Sequence, residues 1–152
     1  MFRRISLLVA ISFFSLGAEV PLEVHVKNLS SGTDLDKINA CNYLGKEKEK
    51  KYLTEIQETL KSSDNPKVAA SCATALGYFQ EKGSATTTLK NKIMSVSNTD
   101  VVYACLVSIL NIAIKNGYEE DAKTAVQYSD VHHRQDEFVA DLIDRIKKRF
   151  KE

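Results

Sequence analysis

A chain of 152 residues fits one domain rather than two. Hydrophobic residues make up 43%, too many for wholesale disorder, and two prolines with six glycines are too few for a turn-rich β sandwich or barrel. With 21 basic and 20 acidic residues the formal charge is +1, so there is no electrostatic case for nucleic acid, which requires a strong basic excess.

The N-terminus reads as a secretory signal over residues 1–18. Arg3 and Arg4 open it, Ile5 to Leu16 form an apolar run, and the small residues Gly17 and Ala18 follow. Twelve helical residues at about 1.5 Å each reach about 18 Å, short of the roughly 30 Å hydrocarbon core. The expected mature N-terminus is Ala18 or Glu19. No cysteine lies near the cut (the first is Cys41), which argues against a lipoprotein. Loss of the two arginines turns the net charge from +1 to −1. No second apolar run is expected to span a membrane. The expectation is therefore an exported protein, periplasmic or secreted, with a single domain over 19–152.

Past the signal, Val20, Leu22, Val24 and Val26 alternate like a strand. A helix opened by Pro21 fits the repeat phase described next, and is preferred. The remaining expected helices are 34–45, 48–62, 66–82, 85–96, 100–116, 119–128 and 133–150, after a first at 21–29. In 66–82, Val68, Cys72, Ala75, Leu76 and Phe79 share one face; in 100–116, Val101, Ala104, Cys105, Ile109, Ile112 and Ala113 do. Asp64 or Asn65 caps the helix opened by Pro66, Gly83 and Gly117 mark helix ends, and Asp100 and Asp130 lie near N-termini. The last helix is amphipathic, with Phe138, Val139, Leu142, Ile143, Ile146 and Phe150 inward.

These helices repeat. At a shift of 33, Asn65 falls on Asn98, Val68 on Val101, Cys72 on Cys105 and Leu76 on Ile109. Leu44-Gly45 falls on Leu76-Gly77 at a shift of 32. The intervening helices align likewise, Ile56 with Leu89 and Ala122, and Leu60 with Ile93 and Val126.

Residues Asn65–Gly77 (NPKVAASCATALG) and Asn98–Leu110 (NTDVVYACLVSIL) resemble HEAT repeats of the short PBS-lyase-like type. That pattern has an Asp or Asn turn, a Val three residues on, a small central residue and a closing Leu-Gly. Leu110 departs from it in place of Gly, and the first repeat has Ile38 and no Pro. The resemblance implies an all-α fold, a right-handed α-solenoid of about three helix pairs with an N-terminal half-repeat and a C-terminal capping helix. Ankyrin repeats would show Thr-Pro-Leu-His, which is absent. A tetratricopeptide-like adaptor is the other paired-helix reading, through Asn116–Ala122 (NGYEEDA), but the Val–small–Leu-Gly phase favours HEAT.

Little in the chain points to chemistry. Three cysteines leave an odd thiol in an exported protein. Stacked helices sit 8–10 Å apart and a disulfide needs Cα atoms within about 7 Å, so Cys41, Cys72 and Cys105 are expected to be unlinked small core residues. No Cys-x-x-Cys occurs. His133 and Glu137, with Asp130 nearby, are half a metal site at most; the His132–His133 stretch reads as an exposed turn. Iron-binding enzymes built of such repeats use His-Glu pairs, and none is present. The Lys46–Lys51 run alternates in sign like a solvated face, and Asn28-Leu29-Ser30 matters only in a eukaryotic secretory route. No catalytic residue, cofactor or metal is assigned; a metal-binding or enzyme accessory subunit is the alternative.

The expected function is non-enzymatic: a scaffold or interaction module in the cell envelope that binds another protein. Helix pairs that cannot bury their apolar sides alone stack, and the second helices of the pairs line up. The partner-binding candidates on them are Lys51, Glu55, Glu58, Thr87, Lys90, Asn91, Glu120, Lys123 and Gln127, with Lys51, Lys90 and Lys123 in a loose line.

Overall fold

The computed structural model describes residues 20–151; the expected signal at 1–18 and its cleavage site lie outside them. The described residues are all-α, with eight helices and no strand. They are α1 (Leu22–Ser31), α2 (Asp34–Glu47), α3 (Leu53–Ser62), α4 (Pro66–Phe79), α5 (Ser84–Ser95), α6 (Thr99–Asn116), α7 (Glu120–His132) and α8 (Glu137–Phe150), with a 3₁₀ turn at Lys50–Tyr52 before α3. The alternating valines of the N-terminal segment are thus helical, with Pro21 as the residue before the first turn.

Local chemistry sets the boundaries. Thr33 and Asp36 form a capping box on α2. Asn65 accepts from the Lys67 and Val68 amides with Pro66 at the first helical position, Asn98 accepts from the Val101 amide, and Asp136 from those of Phe138 and Val139. Four boundaries differ from expectation by three residues or more, among them the starts of α3, at Leu53 rather than 48, and of α8, at Glu137 rather than 133. Helix α4 stops at Phe79, with Gln80 in the left-handed conformation, and Gly83 at φ +77° stands before α5 rather than closing α4. Helix α7 runs on to His132, which places Asp130 in its last turn, an unfavourable end for a carboxylate. Arg134 and Lys147 compensate, donating to Asp130 at 2.5 and 2.8 Å, and the Lys147 bond chiefly holds its carboxyl below the usual range.

The helices pack in two layers. Neighbours α2, α4, α6 and α8 form one, and α1, α3, α5 and α7 the other, each helix of the second layer also packing on its successor in the chain. Within the first layer the helices run parallel. The Asn65 amide donates to Asp34 at the N-terminal ends of α4 and α2 (2.7 Å), while Lys50 and Glu81 pair past their C-terminal ends. Val68, Leu76, Val101 and Ile109 are buried between the layers, as the periodicity predicts.

The first-layer helices approach closely where the repeat carries small residues. A Cβ added to Gly45 would lie 2.7 Å from the Ala75 Cα, and one on Gly77 would lie 2.6 Å from Ser108 Oγ. The Ser108 hydroxyl donates to the Ala73 carbonyl across the same seam at 2.8 Å. This corrects the reading of the cysteines. Cys41 and Cys72 form a disulfide between α2 and α4, with Cα atoms 4.9 Å apart. The typical 8–10 Å helix separation does not hold at a glycine–alanine contact one turn away. Cys105 is free and buried, and is not linked to Cys72.

Two apolar residues also depart from expectation. Phe138 is 68% exposed, because it lies about 100° around the helix from Val139, at the edge of the inward stripe and in the first turn of α8. Phe150 does pack, stacking on Tyr118 with centroids 4.4 Å apart. Helix α6 reaches the length and apolarity that could cross a membrane, contrary to the expectation that no second segment would, but 44% of it is buried inside the fold between α4 and α8.

Candidate functional site

The nine candidates occupy the second layer or the turn entering it. Lys51 lies on the 3₁₀ turn rather than in α3, with its ammonium 4.8 Å from the Tyr52 ring centroid. Glu55, Glu58, Asn91, Glu120 and Gln127 are exposed, as is Lys51. Thr87, Lys90 and Lys123 are only partly so.

Thr87 and Lys90 are tied together. Lys90 Nζ donates to Asp121 Oδ1 at 2.7 Å and the Thr87 hydroxyl donates to Asp121 Oδ2, joining α5 to α7. The Lys90 bond, then the Thr87 bond, hold the Asp121 carboxyl below the usual range. Glu119 extends the seam by accepting from the Thr86 hydroxyl (3.0 Å) and the Gly83 amide (3.2 Å). Two of the nine thus serve helix packing. Glu58 pairs with Lys61 one turn along α3, and Glu120 lies 3.9 Å from Lys123; exposed pairs of this kind contribute little to stability.

Glu55 and Glu58 meet a different environment. They line a cleft of about 520 Å³ between α1 and α3. Val26 and Leu29 of α1 supply apolar lining, and Lys27 and Lys37 add the opposite charge. Thr59 closes one side, its hydroxyl donating to the Glu55 carbonyl at 2.8 Å and lying 3.3 Å from that of Leu29. The arrangement offers apolar contact flanked by charges of both signs.

The residues weighed for a metal do not form one site. His133 is 5% exposed, not on an open turn, and its Nε2 meets the Ile93 carbonyl at the end of α5 (3.3 Å). Asp130 is taken by Arg134 and Lys147, and Glu137 is exposed. Among the described residues no group of three His, Cys, Asp or Glu is placed to hold a metal. Burial pushes the Cys105 thiol up to about 12, which leaves it protonated and inert at neutral pH.

Lys92 was not marked by the periodicity. It is 8% exposed and its ammonium donates to the Ser63 carbonyl at 2.9 Å, closing the C-terminal end of α3. The only sequence hint was a lysine one residue before the inward Ile93.

No family model matches this chain, and neither does any curated protein or solved structure.

Proposed function

We propose that the protein is an exported, non-enzymatic interaction module: a right-handed α-solenoid of HEAT-like helix pairs whose second layer receives a segment of another protein. The cleft between α1 and α3 is the observation that carries this reading. Its apolar Val26 and Leu29 beside Lys27, Lys37, Glu55 and Glu58 suit an extended or helical peptide with one apolar anchor and paired charges. The stacked reading draws support from the ties between neighbouring helices. Asn65 to Asp34, Thr86 to Glu119, Thr87 to Asp121 and the Cys41–Cys72 bridge span 31, 33, 34 and 31 residues, close to one repeat each. Export draws support from the signal pattern and from a buried disulfide, which belongs to an oxidising compartment.

The test is site-specific photocrosslinking in the native host. A photoreactive residue at position 55 or 58 is expected to trap one discrete protein, and the same residue at 127, outside the cleft, is expected not to. Equal trapping at all three positions would remove the cleft from the proposal.

A further inference from the structure

We propose that a cleft between the α3–α4 turn and the α5–α6 turn is a phosphate-binding site built on Lys92. Its ligand is a phosphate group, free or carried as a small phosphomonoester. The site is separate from the cleft between α1 and α3 and does not depend on it.

Among the described residues, Lys92 is the one lysine, arginine, aspartate or glutamate that is buried. A lysine is seldom buried without a counter-charge, because taking an ammonium out of water is costly. Lys50, Lys61, Lys90 and Lys147 each pair with a carboxylate, and Lys92 pairs with none of the described ones. Of the three N–H groups of its ammonium, one goes to the Ser63 carbonyl, a neutral acceptor, at 2.9 Å. The others have no acceptor among the described residues. Water would satisfy those bonds; only an anion also cancels the charge.

The Lys92 side chain lines a cleft of about 450 Å³, and the other polar groups there suit an oxyanion. Lys61 stands on its rim, held to Glu58 only through an exposed pair, which exchanges partners at little cost. Asn98 spends its side-chain oxygen on the Val101 amide, which leaves its NH₂ group to donate. Ser97 adds an exposed hydroxyl. Helix α6 begins here, so its positive end reinforces the two lysines. Asp64 is the single carboxylate in the lining, exposed and in no ion pair, so two lysines stand against one aspartate. Asp100, in the first turn of α6, lines a different cleft with Tyr103 and Phe138. The donors favour phosphate over carboxylate. A planar carboxylate is matched by the two-pronged guanidinium of arginine, and no arginine lines the cleft. Lysine binds phosphate as a point charge, and donors converging from α3, α5 and the α5–α6 turn suit the several oxygens of a tetrahedral group.

Amide chemical shifts of the isotope-labelled protein, followed while sodium phosphate replaces sodium chloride at constant ionic strength, test this. Saturating shifts are expected at residues 63–65 and 97–99, with half-saturation at about 1 mM or below. Glycerol phosphate is expected to move the same amides. Tighter binding than inorganic phosphate assigns the site to phosphomonoesters, and equal or weaker binding assigns it to free phosphate. Lys92→Met keeps the length of the side chain and removes its charge. It is expected to weaken phosphate binding at least about tenfold with helical circular dichroism intact. If that variant does not fold, Lys61→Met, at an exposed position, is expected to weaken binding about threefold. No saturable shift up to about 20 mM phosphate, far above the expected half-saturation, overturns the proposal. So does acetate acting as strongly as phosphate, or a folded Lys92→Met variant that binds phosphate as the unaltered protein does. None of these results bears on trapping at positions 55 and 58.

Discussion

Asp121 takes two donors from the helix beside it, and the consequence is a pH dependence with a definite sign. Its folded pKa is depressed by Lys90 first and Thr87 second. Its contribution is therefore present above the ordinary carboxylate pKa of about 4 and is lost as pH falls through the folded value. Asp121→Asn keeps the shape and removes the charge. It is expected to lower the melting temperature near neutral pH and to shrink the further fall between about pH 7 and pH 3, measured by thermal circular dichroism. The cap of α4 was legible in the sequence to within one residue, Asp64 or Asn65, since the Asn65 side chain acts on amides only two or three residues away. Asp121 was not singled out, because its partners lie on another helix. The clue was nonetheless present: Thr87 and Asp121 are 34 residues apart, about one repeat, and a polar side chain on a stacked helix finds its partner at the equivalent place on the next. His133 was misread for the related reason that the end of α5, which it contacts, is 40 residues upstream.

Between helices, the deciding quantity is how closely two backbones meet. Gly45 and Gly77 stand where any side chain would enter the neighbouring helix, with Ala75 and Ser108 atoms under 3 Å from an added Cβ. Gly77→Leu places there the residue that position 110 carries at the equivalent point of the next repeat. It is expected to cost about 1–3 kcal/mol or more by overpacking, read as a lower urea midpoint with an unchanged slope. The Leu-Gly pairs were visible in the sequence as a repeat mark, and helix existence and face followed from the 3.6-residue period. What periodicity does not carry is local interhelix distance. An average spacing excluded a disulfide that one glycine–alanine contact makes feasible, and the same blindness put Phe138 inside when it lies at the edge of a stripe whose covered side ends at the buried Val139.

For the molecule as a whole, the Cys41–Cys72 bridge fastens α2 to α4 and so holds the first helix pairs together. Replacing both cysteines by serine is expected to cost about 2–4 kcal/mol, measured against the oxidised protein by denaturant titration. Peptide mapping of that oxidised protein should show residues 41 and 72 linked, and Cys105 alkylated only after unfolding, since its thiol is fully buried. The two-layer packing has a kinetic side as well. When the principal ties within each layer join residues about one repeat apart, assembly consists of closing loops of roughly 30 residues one after another, and closure entropy grows only with the logarithm of loop length. No pairing has to wait for the two chain ends to meet. Such a chain falls among the low-contact-order helical proteins that fold in microseconds to milliseconds. It can begin at whichever helix pair collides first, and the central α4–α6 seam, built from the longest uncharged stretches of the described residues, is the natural starting point.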